Sequence, residues 1–357
     1  MTAHPFAPDW ASLLGRDHSA DRPIRIPAVS GARVLVTGAG GFIGAELVRV
    51  LVASGAERIL LLDNCEQHLF EIAAEMSGSP CIPVLGSVCD RRLLAAVFDE
   101  HRPDTVFHAA ALKHVSLMEQ NPFAAVETNA LGTWIVAQAA EAYGARSMIL
   151  VSTDKAAAPR SIMGAAKRIA ELVMLAPASS LRQSALRLVN VIGSPCSVAP
   201  IFAEQIARGG PVTVTHTDAR RWFVTLHETV ALLAEAANAS AAGLLIPEPA
   251  DPLPIAELAR RMIAASGRSV SILFTDPRPG EKIDEVLLAP GEQEAGPATP
   301  NLRRVDSPAV HNLTHSLHAL EEAIAARDLA QMLRIIESLV PDYHPSALLR
   351  EAAVTTP

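Results

Sequence analysis

Residues 33–44 read RVLVTGAGGFIG, and this stretch decides the fold class of the 357-residue chain. An apolar run typical of a buried strand leads directly into closely spaced glycines, and a helical pattern follows over 45–55. A second apolar run, RILLLD at 58–63, completes a strand–helix–strand unit. Such glycines allow a tight turn and let a pyrophosphate approach the helix N-terminus, whose free amides favour anions. The stretch therefore predicts a dinucleotide-binding unit.

The rest of the chain continues the alternation of strands and helices. Further strand-like runs occur at 82–86, 105–110, 147–153 and 185–191. Helical patterns cover 122–143 and 162–176, and later 255–266 and 316–340. Continuous apolar strands between helices are typical of a parallel sheet that is covered on both faces. We therefore predict an α/β protein with a Rossmann-type doubly wound parallel sheet and a smaller C-terminal substrate-binding lobe.

The same pattern suggests boundaries within the chain. We expect an N-terminal arm, a dinucleotide-binding domain with a later returning segment, a substrate-binding lobe and a loose tail. In that order they span 1–30, 31–192 with 222–240, mainly 193–345, and 346–357.

Composition excludes several classes of protein. Half of the residues are apolar, which indicates a globular chain, and the net charge of −8 argues against a nucleic-acid surface. No apolar run reaches the roughly 18–20 residues that a membrane span needs. The N-terminus lacks the pattern of a signal peptide. The four cysteines show neither paired nor metal-ligand spacing, so we expect reduced thiols, a cytoplasmic protein and no metal site.

Lysine is rare in this chain. Only four of the 30 basic residues are lysines, namely Lys113, Lys155, Lys167 and Lys282, and the others are arginines. Arginine stays protonated in proteins, whereas a lysine whose pKa is lowered can act as a base. All four lysines fall in segments that other features also single out, which favours a chemical role over chance.

The end of the second strand bears on the choice of cofactor. Asp63 can accept hydrogen bonds from the adenosine ribose hydroxyls, and no Lys or Arg occurs from Asp63 through Glu71. Nothing nearby would pair with a 2′-phosphate, so the sequence favours NAD over NADP.

Several segments together carry a family resemblance. They are VTGAGGFIG, LLDN, HAAALKHVSLMEQNP, TNALGT, VSTDKAAAP, IMGAAKRIAE, NVIGS, SVAPIFAEQI, GGPVTVTH, RRWFVT and RPGEK. In this order and spacing, between about 31 and 290, the chain resembles extended short-chain dehydrogenase/reductases. Within that group it resembles the capsule and O-antigen polysaccharide-biosynthesis enzymes that act as UDP-N-acetylglucosamine 4,6-dehydratases.

The resemblance implies a specific reaction. Hydride leaves sugar C4 for the nicotinamide, the C4 ketone acidifies the C5 proton, and a base removes that proton. An acid then helps the C6 hydroxyl leave as water, and the hydride returns to C6. The product is a 4-keto-6-deoxy sugar, and the cofactor is regenerated in each cycle.

Catalytic roles are implied for residues 153–167. Asp154 is the candidate acid, which requires a raised pKa, and Lys155 is the candidate base at C5, which requires a lowered pKa. Both can meet one sugar only where the strand ends and the chain turns. Thr153 would bind the C4 oxygen, and Lys167 would bind the nicotinamide ribose.

Met163 stands where related dehydrogenases have a tyrosine. The chain has two tyrosines, Tyr143 and Tyr343, and neither has a lysine four residues later. A thioether cannot accept a proton at neutral pH, so the C4 hydroxyl proton must leave through Asp154, a water chain or the cofactor ribose. One branch of these dehydratases shares the methionine, and it implies retention of configuration at C5.

The resemblance also implies binding residues. The cofactor set is Gly38, Gly41, Phe42, Ile43, Gly44, Asp63, Asn64, Ser87, Val88, Ala109, Ala110, Ala111, Lys113 and Lys167. The substrate set is Lys113, His114, Asn190, Arg221, Arg278 and Glu281. His114 could equally be a structural residue, and Glu281 and Lys282 could pin their loop instead of contacting substrate. Asn129 is expected to be architectural.

Two other functions remain open at this point. A UDP-sugar 4-epimerase needs no C5 base, so the Asp–Lys pair and the missing tyrosine argue against it. A non-catalytic nucleotide-binding regulator would predict loss of the Thr–Asp–Lys trio.

The sequence departs from the family pattern near the expected sugar pocket, at Pro195 and Cys196, at Val189 and in the segment 156–161. Longer relatives carry membrane helices before the catalytic part, so we expect a soluble version or a catalytic fragment, and a homo-oligomer.

Overall fold

The computed structural model describes residues 8–16, 23–177, 180–240, 242–248 and 251–355. Within these ranges the strands alternate with helices through the first half of the chain. The strands are β1 (Arg33–Thr37), β2 (Arg58–Asp63), β3 (Cys81–Leu85), β4 (Thr105–His108), β5 (Ser147–Thr153), β6 (Arg182–Leu188), β7 (Asn190–Val191), β8 (Val212–Thr215), β9 (Arg220–Arg221), β10 (Phe223–Val224), β11 (Gly243–Pro247), β12 (Leu253–Pro254), β13 (Ile272–Thr275), β14 (Gln293–Pro297) and β15 (Leu302–Asp306).

The helices of the described ranges lie mostly between these strands. They are α1 (Trp10–Leu13), α2 (Phe42–Ala53), α3 (Glu66–Glu75), α4 (Arg91–His101), α5 (Val115–Gln120), α6 (Pro122–Val126), α7 (Gly132–Ala142), α8 (Ile162–Leu175), α9 (Val198–Ala207), α10 (Leu226–Asn238), α11 (Ile255–Ser266), α12 (Leu313–Ala325), α13 (Leu329–Leu339) and α14 (Ala347–Thr355). Short 3₁₀ turns cover Pro27–Val29 and Asp154–Ala156, and a π-helical turn at Glu127–Leu131 joins α6 to α7. No helix in the described ranges combines the length and the apolar character needed to cross a bilayer.

The main sheet has nine strands in the order β14-β15-β11-β6-β5-β4-β1-β2-β3. Strands β1 to β6 and β11 run parallel, while β15 pairs antiparallel with β11 and β14 antiparallel with β15. The central order 3-2-1-4-5-6 is that of a doubly wound nucleotide-binding sheet, with its crevice at the carboxyl ends of β1 and β4. The predicted Rossmann-type fold class is confirmed.

Side-chain alternation along the central strands builds a core on each face of the sheet. On β1, Val34 and Val36 point to one core and Leu35 to the other, and all three are fully buried. The first core contains α2 and α10, and the second contains α4, α7, α8, α12 and α13. Each fully buried aliphatic side chain contributes roughly 1.5–3 kcal/mol, so this two-sided burial fixes the strand register.

A third core belongs to the smaller lobe. It joins α9 and α11 to β8 through Phe202, Val214 and Leu258, with Trp10 of α1 packed against it. Strands β8 and β13 pair in parallel beside it. The predicted returning segment at 222–240 contains α10, which packs on the main sheet in the first core. The main sheet also takes β11, β14 and β15 from the part of the chain predicted to be mainly lobe.

The C-terminal region differs from the prediction in two respects. The single helical stretch expected at 316–340 is two helices, because the chain turns at Arg327, whose φ is +57°. The segment from 346 predicted as a loose tail instead forms α14. Leu349 is 1% exposed and lies in the second core, so apolar burial holds this helix in place.

Candidate active site

One large cavity of about 1100 Å³ lies between the carboxyl ends of the parallel strands and the smaller lobe. All four lysines of the chain, Lys113, Lys155, Lys167 and Lys282, line it. Three arginines, Arg160, Arg221 and Arg278, lie at its wall as well. Cations therefore concentrate in this cavity, although the chain as a whole is acidic. The site suits an anionic ligand.

The glycine loop after β1 leaves no room for side chains. Gly38 has a φ of +68°, and a Cβ there would lie 2.7 Å from the backbone nitrogen of Ala110. A Cβ at Gly44 would lie 2.0 Å from the carbonyl oxygen of Gly38. The first turn of α2 thus packs directly on the loop, and Phe42, Ile43 and Gly44 line the cavity. This is the cradle that a pyrophosphate requires.

Asp63, at the end of β2, organises the same loop. Its Oδ2 accepts the amide of Gly40 at 2.9 Å, and its Oδ1 accepts the amide of Cys65 at 2.9 Å. Asp63 is 7% exposed and lies on the cavity wall beside Asn64. All residues of the predicted cofactor set line the cavity, including Ser87, Val88, Ala109, Ala110 and Ala111. The arrangement fits a dinucleotide.

The chain turns at the carboxyl end of β5, where the catalytic residues were expected. β5 ends at Thr153, and a 3₁₀ turn over Asp154–Ala156 follows. The Lys155 Nζ donates to Asp154 Oδ1 at 2.9 Å, and Thr153 Oγ1 donates to the same oxygen at 3.0 Å. Thr153 and Lys155 line the cavity, whereas Asp154 is fully buried behind them. Asp154 therefore contacts the cavity only indirectly, through its hydrogen bonds with Thr153 and Lys155.

The prediction of a lowered pKa for Lys155 is wrong for this structure. Burial lowers the pKa, but the carboxylates of Asp154 and Glu285 outweigh burial and raise it above the ordinary lysine value. Arg221 opposes them weakly. Lys155 is therefore an ammonium ion paired with Asp154.

Helix α8 brings Met163 and Lys167 to the cavity. Ser161 caps the helix by accepting the amide of Gly164 at 3.1 Å. A Cβ at Gly164 would lie 2.4 Å from the carbonyl oxygen of Lys155, so only glycine lets α8 approach the 3₁₀ turn so closely. Met163 is 3% exposed and lies on the cavity wall in the tyrosine slot.

Lys167 lies one helical turn after Met163. Its Nζ donates to the carbonyl oxygen of Val151 at 2.7 Å, and burial lowers its pKa to about 8. The ring of His108 bridges Thr37 and Thr133 at 2.7 and 3.0 Å, and burial, followed by the Lys167 charge, lowers its pKa to about 3. His108 is thus a neutral structural residue that ties β1 to α7.

Sequence reasoning missed Glu285. Its side chain is 3% exposed and lies on the cavity wall, with Oε1 3.5 Å from Lys155 Nζ and Oε2 3.2 Å from Lys282 Nζ. Arg221 Nε lies 3.9 Å from Oε1. The sequence marks Glu285 only as the second acidic residue after RPGEK, and the chain has 38 acidic residues in all.

Arg221 is engaged differently from the prediction of a diphosphate ligand. Its two Nη atoms donate to the carbonyl oxygens of Arg220, Lys282 and Ile283 at 2.5–2.7 Å. In this structure it fastens the segment 278–285 to β9. The Glu281 Oε2 accepts the Arg278 amide at 3.1 Å, which pins that turn, and Arg278 is exposed at the cavity wall.

The remaining predicted residues lie around the catalytic turn. Asn190 Oδ1 accepts from Lys155 Nζ at 3.3 Å, and its Nδ2 donates to the Trp222 carbonyl at 3.2 Å. Lys113 Nζ donates to Ser194 Oγ at 2.6 Å, and burial lowers its pKa. His114 lines the cavity beside Lys113. The Asn129 carboxamide holds both backbone groups of Leu112 at 2.8 and 2.9 Å.

Comparisons with known proteins agree with this geometry. The family model described as polysaccharide biosynthesis protein matches residues 34–306. This chain belongs to that family. The match confirms the resemblance predicted from the sequence. No cluster of residues that could hold a metal ion occurs in the described part of the chain.

The proteins that are similar to this chain have names that describe different functions. The probable polysaccharide biosynthesis protein EpsC of Bacillus subtilis is 39% identical over 311 residues, covering 83% of this chain and 52% of EpsC. The chain thus spans about half the length of EpsC. An inverting UDP-N-acetylglucosamine 4,6-dehydratase of Campylobacter jejuni is 28% identical over 73% of this chain and 78% of its own.

A solved structure extends the comparison to epimerases. The Thermus thermophilus UDP-glucose 4-epimerase in complex with NAD has a TM-score of 0.64 and 28% identity. The alignment covers 72% of this chain and 90% of the epimerase. A nucleotide-sugar dehydratase and a nucleotide-sugar epimerase are therefore among the proteins similar to this chain, and NAD is bound in the epimerase structure.

Proposed function

We propose that this polysaccharide-biosynthesis family member is a UDP-N-acetylglucosamine 4,6-dehydratase. The observation that carries the proposal is the Asp154–Lys155 pair at the carboxyl end of β5, with Nζ and Oδ1 2.9 Å apart. Oxidation at C4 alone needs no such pair. Removal of a C5 proton together with protonation of a C6 hydroxyl needs both a base and an acid.

The cofactor of the proposal is NAD. The glycine loop at 38–44 would hold its pyrophosphate, Asp63 its adenosine ribose and Lys167 its nicotinamide ribose. When bound, it supplies the acceptor for the C4 hydride and the donor for C6. The four thiols of Cys65, Cys81, Cys89 and Cys196 are free, which agrees with action in the cytoplasm.

The charge state of the pair suits the elimination. A neutral Lys155 with a protonated Asp154 has the same net charge as the observed ion pair. Moving one proton from Nζ to Oδ1 therefore creates the reactive form without a proton from solvent. Lys155 then takes the C5 proton and Asp154 returns its proton, through Thr153 Oγ1, to the C6 hydroxyl, which leaves as water. The step ends with the ion pair restored.

A C4 epimerase is the second candidate, favoured by the similarity to the Thermus enzyme. Met163 does not separate the two candidates, because both reactions begin with oxidation at C4 and loss of the C4 hydroxyl proton. The Asp154–Lys155 pair argues against the epimerase, since a C4 epimerase removes no C5 proton and expels no C6 hydroxyl.

The test is proton NMR of the purified protein with UDP-N-acetylglucosamine in D₂O and without added cofactor. We expect a new C6 methyl signal, deuterium at C5 and, from the C5 coupling pattern, retention of configuration. Appearance of UDP-N-acetylgalactosamine without a methyl signal would establish the epimerase. If neither product forms even with added NAD, the proposed function is wrong, and the same assay with other nucleotide sugars would then search for the substrate.

A further inference from the structure

Glu285 has no task in the reaction described so far, yet it is held at the centre of the site. It lies between the Lys155 and Lys282 ammonium groups, at 3.5 and 3.2 Å. Its Oε2 receives no hydrogen bond of good geometry. Burying a carboxylate costs several kcal/mol unless its partners compensate. The Glu285 side chain is only 3% exposed despite this cost of burying a carboxylate, which points to a function.

The charges around Lys155 come from three separate elements. Asp154 lies on the 3₁₀ turn, Glu285 on the segment after RPGEK, and Arg221 on β9. Asn190 adds a neutral acceptor at 3.3 Å. The amine therefore lies near two carboxylates that come from different elements. Without Glu285, Asp154 would be the one carboxylate paired with Lys155 in the described part of the chain.

We propose that Glu285 is a positioning residue that acts through Lys155, holding its amine between two carboxylates and stabilising the ammonium that forms when the amine takes the C5 proton. The role in turnover rests on the proposed function. In the elimination a C5–H bond breaks, an N–H bond forms at Lys155, and the electron pair expels the C6 hydroxyl as water with the Asp154 proton. Positive charge grows on Nζ, and Glu285 is already oriented toward it. Its lowered pKa, which the charges of Lys155, Lys282 and Arg221 produce against burial, keeps it ionised.

The direct test observes the lysine itself and needs no turnover. Because the chain has only four lysines, protein labelled with ¹⁵N at Nζ gives four side-chain signals. The Lys155→Arg variant assigns the relevant one. We expect Glu285→Gln to lower the pH at which Lys155 titrates by about one unit, the lower end of the effect of an opposite charge within about 4–6 Å.

Asp284→Asn is the matched control. It removes the same charge from the neighbouring position, but Asp284 is exposed and pairs with Arg220 at 3.5 Å. We expect the Lys155 titration to stay where the wild type has it. Glu285→Asp keeps the charge and should retain most of the wild-type titration.

Two results would overturn the proposal. One is a Lys155 midpoint that Glu285→Gln leaves unmoved. The other is a wild-type Lys155 midpoint below that of an ordinary lysine, which can be read even if the glutamine variant does not fold. A wild type that makes no methyl product, but whose Lys155 midpoint drops in Glu285→Gln, would refute only the proposed function. If the proposed function and this proposal both hold, the alkaline limb of the pH–rate profile for methyl formation should move to lower pH in Glu285→Gln, because the Asp154–Lys155 pair then loses its single proton at a lower pH.

Discussion

Two buried ion clusters lie side by side in this protein and differ in their cations. The arginine cluster joins Arg187 and Arg168 to Glu171 and Glu292, at 2.6–3.0 Å. The lysine cluster joins Lys155 and Lys282 to Asp154 and Glu285, at 2.9–3.5 Å. Both connect the central sheet or its turn to the segment 282–292. Only the lysine cluster opens to the cavity.

The two clusters differ in whether their cations have hydrogen-bond donors and protons to spare. Arg187 is fully buried and directs Nε and both Nη atoms at two carboxylates and the Leu287 carbonyl oxygen. No donor of this fork remains for a ligand, and arginine cannot give up its proton. A lysine has three donors and a pKa that neighbours can move. Arginine therefore suits a fixed structural joint, whereas lysine suits a site at which a proton has to move.

The sharpest way to break this comparison is to exchange the cations. Lys155→Arg keeps the positive charge beside Asp154 but removes a group that can be deprotonated. We expect methyl product from UDP-N-acetylglucosamine to form about 10²–10⁴-fold more slowly, the usual range for losing an acid–base group. The unfolding midpoint should stay near that of the wild type, since the ion pair is kept. Near-normal turnover would show that Lys155 is not the base.

The matching change in the arginine cluster should act on stability. Arg187→Met leaves Glu171 and Glu292 buried without their main partner, and we expect a loss of about 3–5 kcal/mol. Denaturant unfolding measures it. Adding Glu171→Gln and Glu292→Gln should recover part of the loss, because uncompensated charge is its cause. A midpoint like that of the wild type would mean that water or Arg168 compensates the carboxylates.

A smaller change tests whether the arginine cluster and the lysine cluster act independently. Ser307 accepts the Arg168 Nη2 donor at 2.7 Å, on the side of the arginine cluster away from the cavity. Ser307→Ala should cost about 1.5 kcal/mol of stability, the low end for a hydrogen bond to a charged group. Turnover should be unchanged under conditions where the variant is folded. A change in the pH–rate profile would show that the two clusters are coupled.

The smallest expected effect concerns Lys167, whose pKa burial lowers to about 8. Between that pH and the ordinary lysine pKa the unfolded chain binds more protons, so the contribution of Lys167 to stability rises with pH. NAD affinity should move the opposite way and fall about three- to tenfold above pH 8 as the donor loses its charge. Calorimetric titration from pH 7 to pH 9.5 measures it. Lys167→Met should remove this dependence, and an identical slope in that variant would assign it to another group.

Much of the fold and part of the site followed from local pattern. The glycine loop, the strand–helix alternation and the turn after Thr153 could be read because each depends on residues close in the chain. The C-terminal helix α14 was missed, because its burial depends on a core built by distant segments. Glu285 was missed for the same reason, since it meets Lys155 across 130 residues.

The sequence by itself determined the fold class, the nucleotide loop and the concentration of lysine in a few segments. Periodicity, backbone freedom and the chemistry of single side chains are local properties, and they can be read one segment at a time. The tertiary structure alone decided that Asp154 lies behind the cavity wall, that Arg221 fastens a loop, and that the pKa of Lys155 is raised. Those outcomes depend on which charges and carbonyls come within about 4 Å after folding, because electrostatic interactions act through space.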